Sequence, residues 1–169
     1  MGRFHPQKGC LILIEIWKHV VKKMPKAKLA IIGQGEEEQG MRNLISKYKL
    51  ENNIEIFGFL TGDPKFKIFS NSKLVVHPAI FDSGGMASAE ATGFGLPGVS
   101  FDLEALKTYY PKGFIKSKCF SSTDFAKNIL KLLTNESLYK TLSNESFELV
   151  KVHWDWEKRS IEIFNETKK

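Results

Sequence analysis

Short apolar segments alternate with amphipathic ones along most of this chain of 169 residues. In residues 9–23, apolar side chains recur at intervals of three and four, which predicts an amphipathic helix that ends before Pro25. Residues 28–32 form a compact apolar run closed by glycines, a pattern typical of a buried strand. Alternating strands and helices predict an α/β fold, with a Rossmann-like parallel sheet covered by helices on both faces.

The same alternation continues towards the C-terminus. Further strands are predicted at residues 54–59, 74–77 and 98–101, and further helices at about 36–48, 65–70, 84–94 and 122–134. Two helical pieces that separate near residue 153 are predicted between 135 and about 165. No internal repeat or low-complexity linker divides the chain, so the sequence predicts one domain over residues 1–169.

The front of the chain is too short for a complete strand. The first helix is predicted to start near Lys8, and only residues 1–4 precede its turn. Because a strand usually has about five residues, we expect the chain to start at the end of a first strand that is largely missing. In this fold that strand lies in the middle of the sheet, so its loss would expose two strand edges.

The formal net charge of +6 could attract nucleic acid or an anionic membrane surface. The lysines are scattered among acids, however, and no aromatic-basic stripe suited to stacking bases occurs. The pattern therefore argues against nucleic acid, while a peripheral attraction to anionic lipid stays open. No apolar run approaches the roughly 20 residues that span a bilayer, and no signal peptide is evident. We expect a cytoplasmic protein, at most peripheral to the inner face of the membrane.

The two cysteines, Cys10 and Cys119, stand far apart in the sequence and show no Cys-x-x-Cys spacing. This arrangement favours two reduced thiols over a disulfide framework or a zinc site.

The segment from Asp82 to Glu90 carries the most informative chemistry. It follows a predicted strand and opens a helix, where free backbone N–H groups and the helix dipole favour an anion. Gly84 and Gly85 would let a phosphate approach the main chain closely. Glu90 lies one turn beyond Met86 on the same face, so its carboxylate could accept ribose hydroxyls. Asp82 could reach hydroxyls on the other side of the phosphates.

A purely structural interpretation of the same residues is also open. Asp82 or Ser83 would then cap the helix, and Glu90 would be a solvated helix residue. Arg3 and Lys8 favour the binding site instead, because the carboxyl ends of parallel strands converge on one crevice and these two cations flank the opening turn of the chain.

Six blocks of the sequence occur in a distinctive order. They are Gly2-Arg3-Phe4 with Lys8-Gly9, residues 29–35, Ile56-Phe57-Gly58-Phe59, residues 82–90, Gly93-Phe94-Gly95-Leu96-Pro97, and His153-Trp154-Asp155-Trp156-Glu157. In this order the blocks resemble the C-terminal domain of the retaining glycosyltransferases of family 4, the glycosyl transferases group 1. The resemblance covers nearly the whole chain and implies one lobe of the two-domain GT-B fold, with residues 82–90 as the Glu-x7-Glu motif of the family.

Three features depart from the family pattern. Asp82 stands where the family has a glutamate, which is one methylene longer, and Gly85 stands where it has an aromatic residue. The glycine pair that the family places after the next strand is absent from residues 101–110, where Glu104 is the candidate match for the acid that follows the pair.

The resemblance implies a donor of the UDP-, GDP- or ADP-sugar class, which passes its sugar to an acceptor hydroxyl. The implied catalytic residues, which act on the donor and its diphosphate, are Asp82, Arg3 and Lys8. The implied substrate-binding residues are Gly84, Gly85, Met86, Glu90, Phe59 and Leu60. This chemistry needs no metal ion and no other cofactor. It does need a missing N-terminal domain for the acceptor, so we expect the isolated chain to be inactive.

Other nucleotide-binding classes fit less well. A dinucleotide-dependent oxidoreductase needs Gly-x-Gly-x-x-Gly, but Glu38 takes the third position after Gly33 and Gly35, and the run of three acids would repel a pyrophosphate. The P-loop signature does not occur. The serious alternative is a non-catalytic module, a degenerate transferase lobe that holds a nucleotide or a protein partner.

Overall fold

The computed structural model describes residues 1–153 and 155–168, which contain five strands, eight α-helices and a 3₁₀ turn at Pro6–Lys8. The strands are β1 (Leu29–Ile31), β2 (Ile54–Ile56), β3 (Val75–His77), β4 (Gly98–Phe101) and β5 (Phe114–Ser117). The helices are α1 (Cys10–Lys23), α2 (Glu38–Lys47), α3 (Gly62–Ser70), α4 (Met86–Thr92), α5 (Glu104–Tyr109), α6 (Ser122–Thr134), α7 (Glu136–His153) and α8 (Trp156–Thr167).

All of the strand pairs are parallel, and they form two separate sheets. In the first sheet β1 pairs with β2, so that Leu29 lies opposite Ile54. In the second, β4 lies between β3 and β5, with Val99 opposite both Val76 and Ile115. Parallel strands flanked by helices confirm the predicted α/β class.

The first residues of the chain pair with the residues that follow β1. The backbone N–H of Gly2 donates to the carbonyl of Ile32, and that of Phe4 donates to the carbonyl of Gln34, both at 2.9 Å. The step of two residues on both sides is the pattern of parallel pairing. In the part of the chain that the structure describes, no ladder joins β1 to β3. Each of these strands therefore has one unpaired edge, as the sequence leads us to expect.

Helix α1 starts at a turn that only glycine can make. Gly9 has a φ of +67°, and a Cβ at this position would lie 2.0 Å from the carbonyl oxygen of Pro78. The close approach holds the start of α1 against the loop that follows β3. As the periodicity predicts, α1 buries one face, which consists of Cys10, Leu13, Ile14, Ile16, Trp17 and Val20.

The main core lies between α1, α6 and the sheets. Phe125 of α6 meets Phe101 of β4 edge to face, with ring centroids 5.0 Å apart. Both rings are fully buried, and large apolar residues of this kind contribute most of the burial free energy in a small domain.

Two elements in the second half of the chain were not predicted. Helix α5 has only six residues, which is too short for a clear periodicity. Strand β5 is polar at two of its four positions, Lys116 and Ser117, so its sequence lacks the apolar run of a buried strand. It exists because its backbone completes the ladder of β4.

Several predicted boundaries were wrong by a few residues. Strand β2 ends at Ile56 rather than at residue 59, because Gly58 turns the chain with a φ of +71°. Helix α3 starts earlier than predicted, at Gly62, since Pro64 is tolerated in a first helical turn. Helix α4 starts at Met86 rather than at residue 84, because Gly85 is left-handed with a φ of +63°.

The C-terminal region forms two helices, as predicted, with the break after His153. The side chain of Asp155 accepts a hydrogen bond from the backbone N–H of Lys158, at 3.0 Å, and so caps the start of α8. Trp154, which belongs to the last family-like block, lies outside the described residues. Across residues 1–153 and 155–168, no helix combines the length and the apolar character that a membrane span requires.

Candidate functional site

A cavity of about 380 Å³ lies beyond the C-terminal end of β3. It is lined by Met1, Gly2, Lys8, His77, Asp82, Ser83, Gly84, Gly85, Met86, Ala87 and Tyr109. These residues come from the start of the chain, from the end of β3, from the loop that follows it, from the first turn of α4 and from the end of α5. The carboxyl ends of parallel strands are where α/β proteins bind their ligands.

The carboxylate of Asp82 is the centre of the hydrogen bonding in this cavity. Its Oδ1 atom accepts from the backbone N–H groups of Gly84, at 3.1 Å, and Gly85, at 2.8 Å. Its Oδ2 atom accepts from Nζ of Lys8, at 2.8 Å, and lies 3.1 Å from Nε2 of His77. The Asp82 side chain is only 6% exposed. Asp82 is therefore almost fully enclosed by donors.

These donors keep Asp82 ionised. The hydrogen bond from His77 is the largest cause that lowers the pKa of Asp82 below its usual range, and Lys8 and the two backbone N–H groups lower it further. Burial acts in the opposite direction but does not prevail. An anion that accepts four hydrogen bonds is well suited to positioning its partners and poorly suited to accepting a proton.

His77 links Asp82 to Ser88 of α4 through its two ring nitrogens. Its Nδ1 atom lies 2.7 Å from the hydroxyl oxygen of Ser88, which is fully buried. Burial lowers the pKa of His77, so the ring is neutral at pH 7. Because an ionised carboxylate can only accept, Nε2 of His77 must carry the proton, and Nδ1 then accepts from Ser88. The sequence patterns do not single out His77, since a histidine at the end of an apolar strand is a weak signal.

Gly85 allows two segments to approach each other closely. Its carbonyl accepts a hydrogen bond of 2.6 Å from the hydroxyl of Tyr110, and burial raises the pKa of that phenol, which keeps it a donor. A Cβ at position 85 would lie 2.9 Å from the Tyr110 ring and 3.2 Å from Leu106. These contacts, together with the left-handed φ of +63°, leave no room for a side chain at position 85.

Five of the predicted site residues meet at this cavity. They are Lys8, Asp82, Gly84, Gly85 and Met86. The backbone N–H groups of Gly84 and Gly85 were predicted to face a phosphate, but in the structure both already donate to Oδ1 of Asp82. The aspartate folds back on the residues two and three positions later, as short acidic side chains do in turns. A phosphate contact at these two groups stays a prediction.

The other four predicted residues do not line this cavity. Arg3 is exposed. Glu90 forms an ion pair with Lys65 of α3. Phe59 is 70% exposed, and Leu60 lines a different, larger cavity. The roles that the family resemblance implies for these residues stay predictions.

Among the described residues, no group of three or more His, Cys, Asp or Glu side chains is arranged to hold a metal ion. Cys10 is buried and Cys119 is exposed, and both are free thiols.

The sequence profile of the family described as "Glycosyl transferases group 1" matches residues 1–148. The chain belongs to this family. The match includes every residue of the cavity and of its hydrogen-bond network, so the geometry described above is that of a group 1 glycosyltransferase domain.

Curated relatives of this glycosyltransferase domain include two enzymes that act on phosphate polymers. The poly(ribitol-phosphate) alpha-N-acetylglucosaminyltransferase of Staphylococcus aureus is 28% identical over 155 residues, which cover 88% of this chain and 30% of the relative. The poly(glycerol-phosphate) alpha-glucosyltransferase of Bacillus subtilis is 26% identical over 153 residues, which cover 88% of this chain and 22% of the relative. The chain thus spans less than a third of either relative.

Solved structures agree with the family assignment. A TarM variant from S. aureus, in complex with fondaparinux, alpha-GlcNAc-glycerol and UDP, matches with a TM-score of 0.86 and 26% identity, over 97% of this chain and 34% of TarM. Two more distant structures show the fold alone. HepE from Anabaena, in complex with UDP, gives a TM-score of 0.85 at 18% identity, over 99% of this chain and 48% of HepE. The C-terminal domain of LpcC, a group 1 family protein from Francisella tularensis, gives 0.77 at 17% identity, over 91% of this chain and 83% of that domain. The glycosyltransferase domain therefore has the fold of one GT-B lobe and resembles the C-terminal domain of TarM.

Proposed function

We propose that this chain is the donor-binding domain of a retaining glycosyltransferase, which moves a hexosyl unit from a nucleoside-diphosphate sugar to an acceptor hydroxyl. One observation carries the proposal. In a member of the glycosyl transferases group 1, the ammonium group of Lys8 stands beside an open cavity at the carboxyl end of β3, and a buried carboxylate holds it there.

Among UDP-, GDP- and ADP-sugars, UDP-sugars have the most support. The TarM variant and HepE were both solved with UDP bound, and TarM from S. aureus shares 26% identity with this chain. Relatives that transfer glucose or N-acetylglucosamine also favour hexosyl transfer. We propose UDP as the nucleotide of the donor, and we leave the sugar and the acceptor open.

Lys8 is well placed to stabilise the diphosphate as it leaves. Its side chain is 40% exposed, so the ammonium group can contact a ligand while it still pairs with Asp82. Met86 and Ala87 also line the cavity, at the first turn of α4, where backbone N–H groups lack partners within the helix. Negative charge grows on the diphosphate as the glycosidic bond breaks. Fixed donors that bind this charge more strongly in the transition state lower the barrier.

The family resemblance implies retention by attack from the face of the leaving group. In that reaction the bond from the sugar to the diphosphate breaks, the bond to the acceptor oxygen forms, and the diphosphate takes the acceptor proton. Asp82 positions Lys8 in this scheme and does not act as a base, because four donors already saturate it. The scheme needs no metal ion and no cofactor.

The remaining partners are part of the proposal. An N-terminal domain of the same enzyme would supply the acceptor site, so the isolated chain would bind the donor without turning it over. We place the enzyme in the cytoplasm, where its net positive charge would draw it towards anionic lipid at the membrane surface. No nucleic acid takes part.

Calorimetric titration of the chain with UDP, GDP, ADP and NAD⁺ tests the proposal. We expect UDP to bind at least tenfold more tightly than the other three ligands. Lys8→Met should weaken UDP binding about tenfold or more, since a charge-assisted contact to phosphate contributes roughly 1.5–3 kcal/mol. The matched control is Lys22→Met, at an exposed lysine in the last turn of α1, which should leave binding unchanged. Equal affinity for all four ligands, or an Lys8→Met variant that binds like the parent, would contradict the proposal.

The donor roles of Glu90 and Arg3 can be tested in the same titration. Glu90→Ala frees Lys65 and removes the carboxylate that the family pattern places near the ribose. If Glu90 leaves Lys65 to bind the ribose, Glu90→Ala should weaken the binding of UDP but not that of inorganic pyrophosphate. Arg3→Ala should weaken the binding of both ligands, because both contain the diphosphate that Arg3 is predicted to contact. Unchanged UDP affinity in Glu90→Ala would remove Glu90 from the site.

A non-catalytic nucleotide-binding or partner-binding module is the second candidate. The observation that favours it is the carboxylate of Asp82, whose two oxygens already have four hydrogen-bond partners within the chain. The two candidates differ in one measurement. An enzyme that contains this domain should release UDP from a UDP-sugar in the presence of acceptor, whereas a module should bind UDP and release none.

A further inference from the structure

Two adjacent tyrosines at the C-terminal end of α5 pack on two adjacent glycines of the loop that opens α4. Tyr110 is fully buried and its hydroxyl binds the carbonyl of Gly85, whereas Tyr109 is 44% exposed and lines the cavity beyond β3. Neither tyrosine belongs to the six family-like blocks of the sequence. Tyr109 is therefore a cavity residue to which the proposed function assigns no role.

The ring of Tyr109 covers Gly84. A Cβ at position 84 would lie 3.4, 3.5 and 3.7 Å from the Cζ, Cε2 and Cε1 atoms of this ring, and no closer to the phenol oxygen. A point at nearly equal distances from three neighbouring ring atoms, with the hydroxyl no nearer, lies over the face of the ring. Gly84 therefore occupies one face of Tyr109, so that at most the other face is open for stacking.

Contacts on the buried side of α5 hold the Tyr109 ring in this position. Leu106 is fully buried and would lie 3.2 Å from a Cβ at position 85. Its carbonyl accepts a hydrogen bond of 2.9 Å from Nζ of Lys116 in β5. The hydroxyl of Tyr110 anchors the next residue along the chain, at 2.6 Å from its acceptor. A side chain on an element fixed in this way can position a ligand more precisely than one on a free loop.

Lys8 and Tyr109 reach the cavity from opposite sides of β3. Lys8 follows the residues that pair with the segment after β1, whereas Tyr109 belongs to the helix after β4, the strand that pairs with β3. Under the proposed function, the diphosphate of the donor lies at Lys8. Its nucleoside and its sugar then extend in different directions, and the part that extends towards β4 must pass Tyr109.

The chemistry of the cavity favours the sugar as the part that meets Tyr109. Lys8, His77 and Asp82 already bond to one another, whereas Tyr109 adds a hydroxyl that can both donate and accept a hydrogen bond. A hexose carries hydroxyls of the same kind, while a base gains most from an open aromatic platform. The volume of about 380 Å³ is also near the lower end of the roughly 300–1,000 Å³ of ligand pockets, so the cavity suits part of the donor rather than all of it.

From these contacts we infer that Tyr109 is a specificity-determining residue for the donor sugar. Its ring, held against Gly84, forms the wall of the sugar subsite on the side of β4, and its hydroxyl hydrogen-bonds to a hydroxyl of the hexose. The inference rests on the proposed function, which places the diphosphate at Lys8.

Calorimetric titration of the chain with UDP, UDP-glucose, UDP-galactose and UDP-N-acetylglucosamine measures the contribution of the sugar. The parent should bind at least one UDP-hexose about tenfold more tightly than UDP, since a hydrogen bond and a ring contact together give a preference of this order. Tyr109→Leu should abolish this preference and leave the affinity for UDP unchanged. Tyr109→Phe keeps the ring and should reduce the preference about fivefold, the effect of one neutral hydrogen bond.

Phe147→Leu is the matched control. Phe147 is an aromatic residue of α7 with 46% exposure, close to that of Tyr109, and it does not line the cavity. This variant should bind each ligand as the parent does. Both replaced side chains are partly exposed, so the variants and the parent should melt at similar temperatures.

Nuclear magnetic resonance of the tyrosine rings reports the contact directly. The chain has four tyrosines, so a protein labelled in these rings gives few signals, and Tyr109→Phe assigns those of Tyr109. The UDP-hexose that binds most tightly should shift the Tyr109 signals more than UDP does. Tyr48, which caps the C-terminal end of α2, should not respond to either ligand.

Three results would overturn the inference. The parent could bind none of the UDP-hexoses more tightly than UDP, or Tyr109→Leu could keep the preference of the parent. Tyr109→Leu could also weaken UDP as much as the UDP-hexose, which would place the ring at the nucleoside or the diphosphate. In each case Lys8→Met still tests the proposed function separately, because it is measured with UDP alone. A parent chain that binds no UDP would overturn both.

Discussion

Nε2 of His77 lies 3.1 Å from Oδ2 of Asp82, and this contact joins the last residue of β3 to the loop that opens α4. The same carboxylate oxygen accepts from Lys8 at the other end of the cavity. A neutral histidine and an ionised aspartate therefore hold Lys8, the cation that lines the cavity. The stability of this network is measurable without any ligand.

Replacement of His77 should lower the free energy of unfolding, because it leaves the hydrogen-bond network around Asp82 incomplete. His77→Leu fills a similar volume but leaves Asp82 and Ser88 each without one buried partner. We expect a loss of about 1–3 kcal/mol in the free energy of unfolding at pH 7, measured by urea denaturation. Ser88→Ala removes only the outer hydrogen bond and should cost less. Equal losses in the two variants would place the stabilisation in α4 rather than at Asp82.

The His77 variant should also change the response to acid. Burial lowers the pKa of His77 in the folded state, so below about pH 6.5 the unfolded chain binds a proton that the folded chain resists. The parent chain should lose stability as the pH falls through this window, and His77→Leu lacks this contribution. The difference in stability between the two proteins should therefore narrow between pH 7 and pH 5.5. A constant difference would show that His77 titrates normally.

Asp82→Asn should change the pH dependence of stability, in a lower pH range than His77→Leu does. The folded state depresses the pKa of Asp82, so its stabilisation is fully present above the unfolded value of about 3.9 and is lost as the pH falls below it. At pH 7 the variant should be less stable by roughly 2 kcal/mol or more, because a buried charged acceptor is lost. The difference between the parent and the variant should shrink from pH 4 to pH 2 in urea titrations. If it grew instead, the carboxylate would be destabilising.

Two neighbouring glycines provide a matched pair. Gly85→Ala forces a left-handed backbone onto alanine and places its Cβ 2.9 Å from the Tyr110 ring, so we expect a loss of about 1–3 kcal/mol. At Gly84 the nearest atom to an added Cβ is in the Tyr109 ring at 3.4 Å, an ordinary contact. Gly84→Ala should stay within about 0.5 kcal/mol of the parent. Thermal unfolding of the two variants side by side measures the contrast, and equal losses would contradict it.

Because of Lys116, the free energy of unfolding of the chain should rise between about pH 8 and pH 10. Burial lowers its pKa to about 8, although Nζ donates to the carbonyl of Leu106 at 2.9 Å. Between this value and the ordinary pKa of about 10.4, the unfolded chain holds a proton that the folded chain has released, so stability rises with pH. Because Lys116 is partly exposed, the rise should be shallower than the about 1.4 kcal/mol per pH unit of one full proton. Lys116→Met should lack it, so the stability of the variant relative to the parent should fall from pH 8 to pH 10.

Local patterns were sufficient for the elements that carry a strong signal of their own. Helix α6 and strand β4 begin and end where the sequence predicts, because Ser121 caps the helix and residues 98–101 form a short, fully buried run. Strand β5 was missed for the opposite reason. Its Lys116 and Ser117 give no apolar signal, and only the ladder with β4 makes it a strand.

The family motifs indicated some of the residues that meet at the cavity beyond β3, but not all of them. Lys8 and Asp82 meet although they are 74 positions apart, as the convergence of strand ends predicts. Glu90 pairs with Lys65 of a different helix, and no spacing along the chain could show this. Likewise, Tyr110 packs on Gly85 from a segment for which no helix was predicted.

The amino-acid sequence determined the alternation of strands and helices, the turn at Gly9, and the presence of acids, glycines and cations in the order of the glycosyl transferases group 1. These features are local, since backbone preferences and apolar periodicity act over a few residues. Only the tertiary structure decided that His77 and Ser88 hold Asp82, that Asp82 occupies the N–H groups of its own loop, and that β1 and β3 stand apart. Such contacts depend on the direction that each side chain takes after packing. Residues that are distant in the chain determine this direction.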